Sequence, residues 1–147
     1  MTDSDRNAIK ADLDRLVLKF FRAVSFESGG APSYQDIAGL FIERGLLIKN
    51  TGPTPEICSV KEFIEPRQAL VNAGALTRFL ESEISESTVI FGNIAHRFSS
   101  YAKSGTSGGQ SFEARGMITT QFVSTPSGWK MSAMAWDDER PGLSISG

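Results

Sequence analysis

Three stretches near the C-terminus leave this chain few folds to choose from. Residues 93–103 (NIAHRFSSYAK), 112–125 (FEARGMITTQFVST) and 129–138 (WKMSAMAWDD) are separated only by SGTSGGQ and by Pro126-Ser127-Gly128. Segments of about ten residues joined by short Gly/Ser/Pro turns predict consecutive antiparallel strands. Residues 75–91 extend the pattern upstream. There Glu81, Glu83 and Glu86 are interleaved with Ser and Ile, lead into Thr88-Val89-Ile90-Phe91, and join the next strand through a Gly92-Asn93 turn. Four long strands in a row need a layer to cover them, and the upstream half of the chain supplies it.

Residues 2–27 carry Ile9, Leu13, Leu16, Val17, Phe20 and Val24 at helical spacing, with Asp12, Arg15, Lys19 and Arg22 elsewhere around the helix and Asp3 and Asp5 at its positive end. Ser28-Gly29-Gly30-Ala31-Pro32 ends this helix. Because it has no Gly-Lys-Ser/Thr ending and follows no strand, it is not a phosphate loop. Ser33 and Asp36 have capping-box spacing and predict a second, shorter helix bearing Ile37, Leu40 and Phe41. Gly45 interrupts it, Leu46-Leu47-Ile48 reads as a short strand, and 51–55 as a loop. Ser59 and Glu62 form another capping box before a helix with Val60, Phe63, Ile64, Leu70 and Val71; Pro66 is expected to kink or split it, and Gly74 to stop it. The class is α+β: helices packed on one face of an antiparallel sheet, in a single domain spanning 1–147.

Composition narrows the function classes. With 15 basic and 17 acidic residues the net charge is −2 and no basic cluster stands out, which argues against a nucleic-acid surface. The apolar runs are too short to span a bilayer, and MTDSDRNAIK is too polar for a secretory signal. Cys58 is alone, so no internal disulfide forms, and no Asn-x-Ser/Thr sequon occurs; both favour the cytoplasm. One histidine and one cysteine do not make a metal site, and no motif calls for a cofactor. Strand alternation puts Ile94, His96, Phe98 and Ser100 on one face and Ala95, Arg97, Ser99 and Tyr101 on the other. Large apolar groups appear on both faces. Three helices cannot cover both, so a homodimer through the sheet is expected, unless strong sheet curvature hides the second face.

An amphipathic first helix, a short second helix, a strand–helix–strand passage and a closing meander whose last strand begins Gly128-Trp129-Lys130-Met131 together resemble the NTF2-like superfamily, in its SnoaL-like or DUF4440-like branch. The resemblance covers nearly the whole chain. It implies a curved antiparallel sheet wrapped by about three N-terminal helices into a cone with a pocket (a cystatin-like fold) and dimerisation through the sheet. The branch includes isomerases, cyclases and dehydratases as well as transport and scaffold proteins, so the fold does not choose among them. The isomerases place an oxyanion tyrosine in the first helix, where this chain has Phe20 and Phe21; the dehydratases use two histidines, where this chain has one.

The candidate residues follow from chemistry. His96 is a candidate acid or base on a strand, expected to point into the cone beside Ile94 and Phe98, and otherwise a surface strand histidine. Tyr34 can donate to an oxyanion and Asp36 can accept a proton, although packing and capping also account for them. Arg67, just after Pro66, can aim a guanidinium at a carbonyl or carboxylate ligand or pair with Glu62 or Glu65. Phe20, Phe98, Met134 and Trp136 are expected to line a pocket for a small hydrophobic ligand. Asp137-Asp138-Glu139-Arg140 reads as a solvated strand end or as paired carboxylates. The function expected is binding of a small molecule, with lyase or isomerase action on a hydrophobic carbonyl compound; the alternative is a non-catalytic dimerisation or protein-interaction module.

Overall fold

The computed structural model describes residues 1–145. Helix α1 spans Asp3–Val24 and α2 spans Val60–Asn72. The strands are β1 (Phe41–Lys49), β2 (Glu56–Ser59), β3 (Leu76–Phe91), β4 (Ile94–Ser107), β5 (Gln110–Thr125) and β6 (Gly128–Asp138). They form one sheet in the order β2-β1-β6-β5-β4-β3. The four long strands make the expected antiparallel meander, while β1 joins β6 in parallel, so the sheet is mixed. Both helices pack on the same side of it. The result is an α+β cone with an unclosed curved sheet. No helix among the described residues is long and apolar enough to cross a membrane.

Local chemistry accounts for most element ends. Thr2 caps α1 and exchanges hydrogen bonds with Asp5 in a capping box, and Ser59 and Glu62 do the same for α2. Gly74 follows α2 with a positive φ of 73°, as a helix stop should. Pro66 does not split α2. Its missing donor falls on the exposed side, where water can reach the Glu62 carbonyl, and the helix runs through.

The second helix is not formed. Its residues make two 3-10 turns, Tyr34–Asp36 and Ala38–Leu40, and Ser33 makes no side-chain cap. Tyr34, Ile37 and Leu40 are all buried, and their spacing of three is the period of a 3-10 turn, not of an α-helix. The strand after them is longer than Leu46-Leu47-Ile48. It starts at Phe41 and passes through an irregularity at Gly45, where a β-carbon would lie 2.8 Å from the Phe41 ring. Residues 56–59, not foreseen as a strand, pair with its far end.

β-Bulges help decide which side chains face inward. Gln121 pairs with Ala133 and Phe122 with Met131, so Ser132 is an extra residue in β6. Met131 and Met134 can therefore both be buried, although they are three apart on a strand. In β3, Ile84 is the extra residue between the Glu83–Tyr101 and Ser85–Ser100 pairs. The core beneath the helices contains Leu13, Val17, Phe20 and Phe21 of α1 packed against Phe41, Leu47, Tyr101, Ile118, Phe122, Met131 and Met134 of the sheet.

Tyr101 is fully buried and lies across Gly116, its partner on β5, to reach β6. Its hydroxyl donates to the Asp137 carbonyl at 3.0 Å and to Asp138 Oδ1 at 2.5 Å. A β-carbon at Gly116 would lie 2.2 Å from the Asp137 carbonyl oxygen and 2.4 Å from the Tyr101 hydroxyl, so only glycine fits there. Gly116→Ala should therefore destabilise the fold by about 2 kcal/mol or more, the scale of core overpacking, as read from the urea-unfolding midpoint. Tyr101→Phe should cost only about 1 kcal/mol, the scale of a lost hydrogen bond.

Candidate functional site

A cavity of about 640 Å³ opens between α2, the C-terminal end of α1 and the inner face of the sheet. Its apolar wall includes Phe20, Phe63, Phe79, Phe112, Met134 and Trp136. The rings interlock: Phe20 and Phe63 have centroids 6.2 Å apart, Phe63 and Trp136 meet edge to face at 6.0 Å, and Phe79 and Phe112 lie 6.2 Å apart. The polar groups are few: Tyr34, Arg67, Glu81 and Lys103 within, with Lys49, Glu56 and Glu62 also on its wall. A mostly apolar cavity of this size with a few converging polar groups is the usual form of a small-molecule site.

Each polar group has a structural reason to be there. Tyr34 is buried by its 3-10 turn, and burial pushes its phenol pKa up. Arg67 folds back over α2. Its Nη1 donates to the Phe63 carbonyl at 2.9 Å, and the guanidinium carbon sits 3.8 Å above the centre of the Phe63 ring. Among the described residues no carboxylate comes within ion-pair distance of it, and burial lowers its pKa. Lys103 is held by Asp138 at 3.0 Å. Asp138 has thus left the acidic strand end for the interior, while Asp137 pairs with Arg140 at 2.9 Å.

Glu81 stands out chemically. It pairs with Lys103 in the β3–β4 register, and no hydrogen bond among the described residues reaches its carboxylate. Burial pushes its pKa up to about 7; Asp138 adds to the rise, while Lys103 and Arg67 oppose it. A carboxyl group that exchanges a proton near neutrality inside a cavity is a natural general base. In the sequence it reads only as part of a long polar strand. Only the fold brings it beside Lys103 and opposite Arg67.

Of the residues expected at a site, Phe20, Tyr34, Arg67, Met134 and Trp136 come together in this cavity, and three others do not. His96 is exposed on the outer face of β4, between Val89 and Gln121, and does not point into the cone. Phe98 is on the same outer face and 55% exposed. The reason is Arg97. Its alternation partners Ala95, Ser99 and Tyr101 face inward, and it meets Glu83 at 2.7 Å and Asp14 of α1 at 2.6 Å beneath that helix. Burial works against the Arg97 charge, but the hydrogen bonds it donates to Glu83 and Asp14 outweigh it and raise its pKa. Asp36 is exposed beside the 3-10 turns, on a separate shallow depression. A wide groove along α1 and β3, about 1180 Å³, contains the Arg97 cluster and shares Glu81 and Lys103 with the cavity. Among the described residues no group of three or more His, Cys, Asp and Glu side chains converges as a metal site.

No protein-family model and no curated protein matches the chain. Solved structures do. An NTF2-like protein with a cystatin-like fold from Novosphingobium aromaticivorans has a TM-score of 0.70 at 12% identity, over 97% of this chain and 88% of that one. A nuclear transport factor 2 (NTF2-like) superfamily protein from Salmonella enterica has a TM-score of 0.74 at 11% identity, over 97% and 99%. The hexachlorocyclohexane dehydrochlorinase LinA-type3 from Novosphingobium barchaimii has a TM-score of 0.75 at 14% identity, over 95% and 92%. At these identities the likeness is one of fold, and that fold is the NTF2-like, cystatin-like cone.

Proposed function

We propose that the cavity binds a small hydrophobic carbonyl compound and that the protein is a lyase or isomerase working by proton transfer. The observation that carries this reading is the Glu81 carboxyl, whose pKa burial pushes up to about 7, on the wall of an aromatic-lined cavity that also holds Arg67 and Tyr34. Ionised Glu81 takes a proton from the carbon beside the carbonyl. The C–H electron pair moves to the carbonyl oxygen, where the Tyr34 hydroxyl and the Arg67 guanidinium stabilise the enolate. In an isomerase Glu81 returns the proton to another carbon; in a lyase the enolate expels a group from the adjacent carbon. The dehydrochlorinase among the structural neighbours shows that this fold hosts an elimination enzyme. The SnoaL-like or DUF4440-like branch and a cytoplasmic location belong to the same proposal.

The outer sheet face favours a second property. Val89, Phe91, Ile94 and Phe98 are 54–77% exposed there, with Leu46 further along the sheet. Cross-strand rows make them one surface: Phe91–Ile94–Val123, Val89–His96–Gln121–Ala133–Leu46 and Ser87–Phe98–Thr119–Ala135–Ile48. Covering this surface with a second copy gives the homodimer. If the cavity proves inert, the same surface supports a non-catalytic dimerisation or protein-interaction module.

Proton transfer is tested by deuterium exchange at the α-carbon of 2-tetralone, followed by NMR. Exchange should exceed the buffer rate, rise as pH passes through about 7, and fall about a hundredfold in Glu81→Gln; exchange no faster than buffer would end the enzymatic reading. Stability gives an independent check. Because Glu81 holds its proton more tightly in the folded state, its contribution is complete below the ordinary value of 4.5 and is lost as pH rises to about 7. Wild type should lose up to about 3 kcal/mol relative to Glu81→Gln across that window in urea titrations. For assembly, light scattering should report twice the 15.9 kDa chain mass, and Phe98→Glu should halve it; a wild-type monomer at micromolar concentration would remove the homodimer.

A further inference from the structure

Among the described residues, Arg67 lies on the cavity wall with no carboxylate in ion-pair distance. Lys103 is neutralised by Asp138 at 3.0 Å. At the cavity wall, Lys49 stands opposite Glu56 in the β1–β2 register but makes no ion pair with it among the described residues. Arg67 is instead held against an aromatic wall: its guanidinium spends one donor on the Phe63 carbonyl and stacks on the Phe63 ring. The remaining donors of a guanidinium form a flat fork that matches the two oxygens of a carboxylate. A half-buried cation held by a ring and a single carbonyl is poorly compensated unless a ligand completes it.

The rest of the cavity limits what that ligand can be. A single planar guanidinium fork suits the two oxygens of a carboxylate better than a phosphate dianion, and Lys103 is already occupied by Asp138. The neighbouring surfaces are aromatic: Phe63 stands edge to face with Trp136, and Phe79 leans on Phe112. A flat ring can lie against such walls with its charged group at one end. We infer that the ligand is an aromatic monocarboxylate, with its carboxylate on Arg67 and its ring among Phe63, Phe79 and Trp136. This rests on the cavity being the ligand site, and it narrows the carbonyl compound proposed above to one that also carries a carboxylate, which takes the Arg67 fork and leaves the Tyr34 hydroxyl as the donor to the enolate oxygen.

The test titrates the purified protein with 2-naphthoate, 2-naphthylmethanol and 2-naphthyl phosphate by calorimetry. In the wild type, 2-naphthoate should bind about tenfold tighter than the alcohol, and also tighter than the phosphate. Arg67→Met should remove that advantage while leaving the alcohol within about twofold, and Arg67→Lys should fall between. Equal affinity for acid and alcohol, tighter binding of the phosphate, or an unchanged preference in Arg67→Met would each overturn the inference. Should Arg67→Met not fold, the wild-type ranking of the three compounds decides alone. Binding of the alcohol with no preference for the acid defeats this inference but leaves the cavity a ligand site; no binding of any naphthyl compound defeats both.

Discussion

The contact on which the rest of this structure depends is the passage of Tyr101 over Gly116. A side chain from β4 crosses the whole of β5 to reach the backbone and carboxylate of β6, which is possible only because the middle strand has no side chain at that point. Three strands are fastened at one place, on the inner face, where the sheet must bend to leave a cavity. The same contact sets the electrostatics of the cavity. Asp138, held by the tyrosine, in turn holds Lys103, and Lys103 stands opposite Glu81 in the strand register. Curvature and proton chemistry therefore share a residue. Burial also moves the Tyr101 phenol far above its ordinary value, so the hydroxyl serves only as a donor.

The second polar cluster has the opposite character. Arg97 is almost fully buried yet meets Asp14, Glu83 and, more distantly, Glu86, while Lys10 adds a second cation from α1. Every charge there has a partner, and the cluster locks α1 onto β3 and β4. A fully paired network of this kind fixes geometry and leaves little for a ligand to do. In the cavity, by contrast, neither Arg67 nor Glu81 forms an ion pair among the described residues, and both stand beside aromatic walls. That difference, more than the number of charged residues, distinguishes the candidate site from the structural cluster.

Much of the fold was legible in the sequence because its signals are local. Turn residues mark the meander, capping boxes mark α2, and Gly74 marks the helix end. Where the reading failed, the deciding force acted at a distance or between two local possibilities. Ser33 and Asp36 have capping spacing, but Tyr34, Ile37 and Leu40 bury at a period of three and the chain turns into β1 within a few residues. The phase of β4 could not be read from alternation, because Phe98 on one face and Tyr101 on the other are equally apolar. It is fixed by the three acids that Arg97 finds on other elements, and so His96 lies outside. Phe20, Tyr34, Arg67, Met134 and Trp136 were identifiable as aromatic or cationic residues of the right kind. Glu81 was not, since its chemistry comes from burial that only the folded cone provides.

The edges of the sheet have a consequence of their own. At one side, Phe26 pairs back onto Phe79, Ser25 bonds both backbone groups of Glu81, and Arg6 occupies the Ile90 carbonyl, so the rim of β3 is tied off by the ends of α1. At the other side, β2 is only four residues long. These contacts and the shortness of β2 reduce the ladder that either rim offers to a strand from another molecule. A second molecule adding a strand along the β3 rim would first have to displace the Ser25, Phe26 and Arg6 contacts near its two ends.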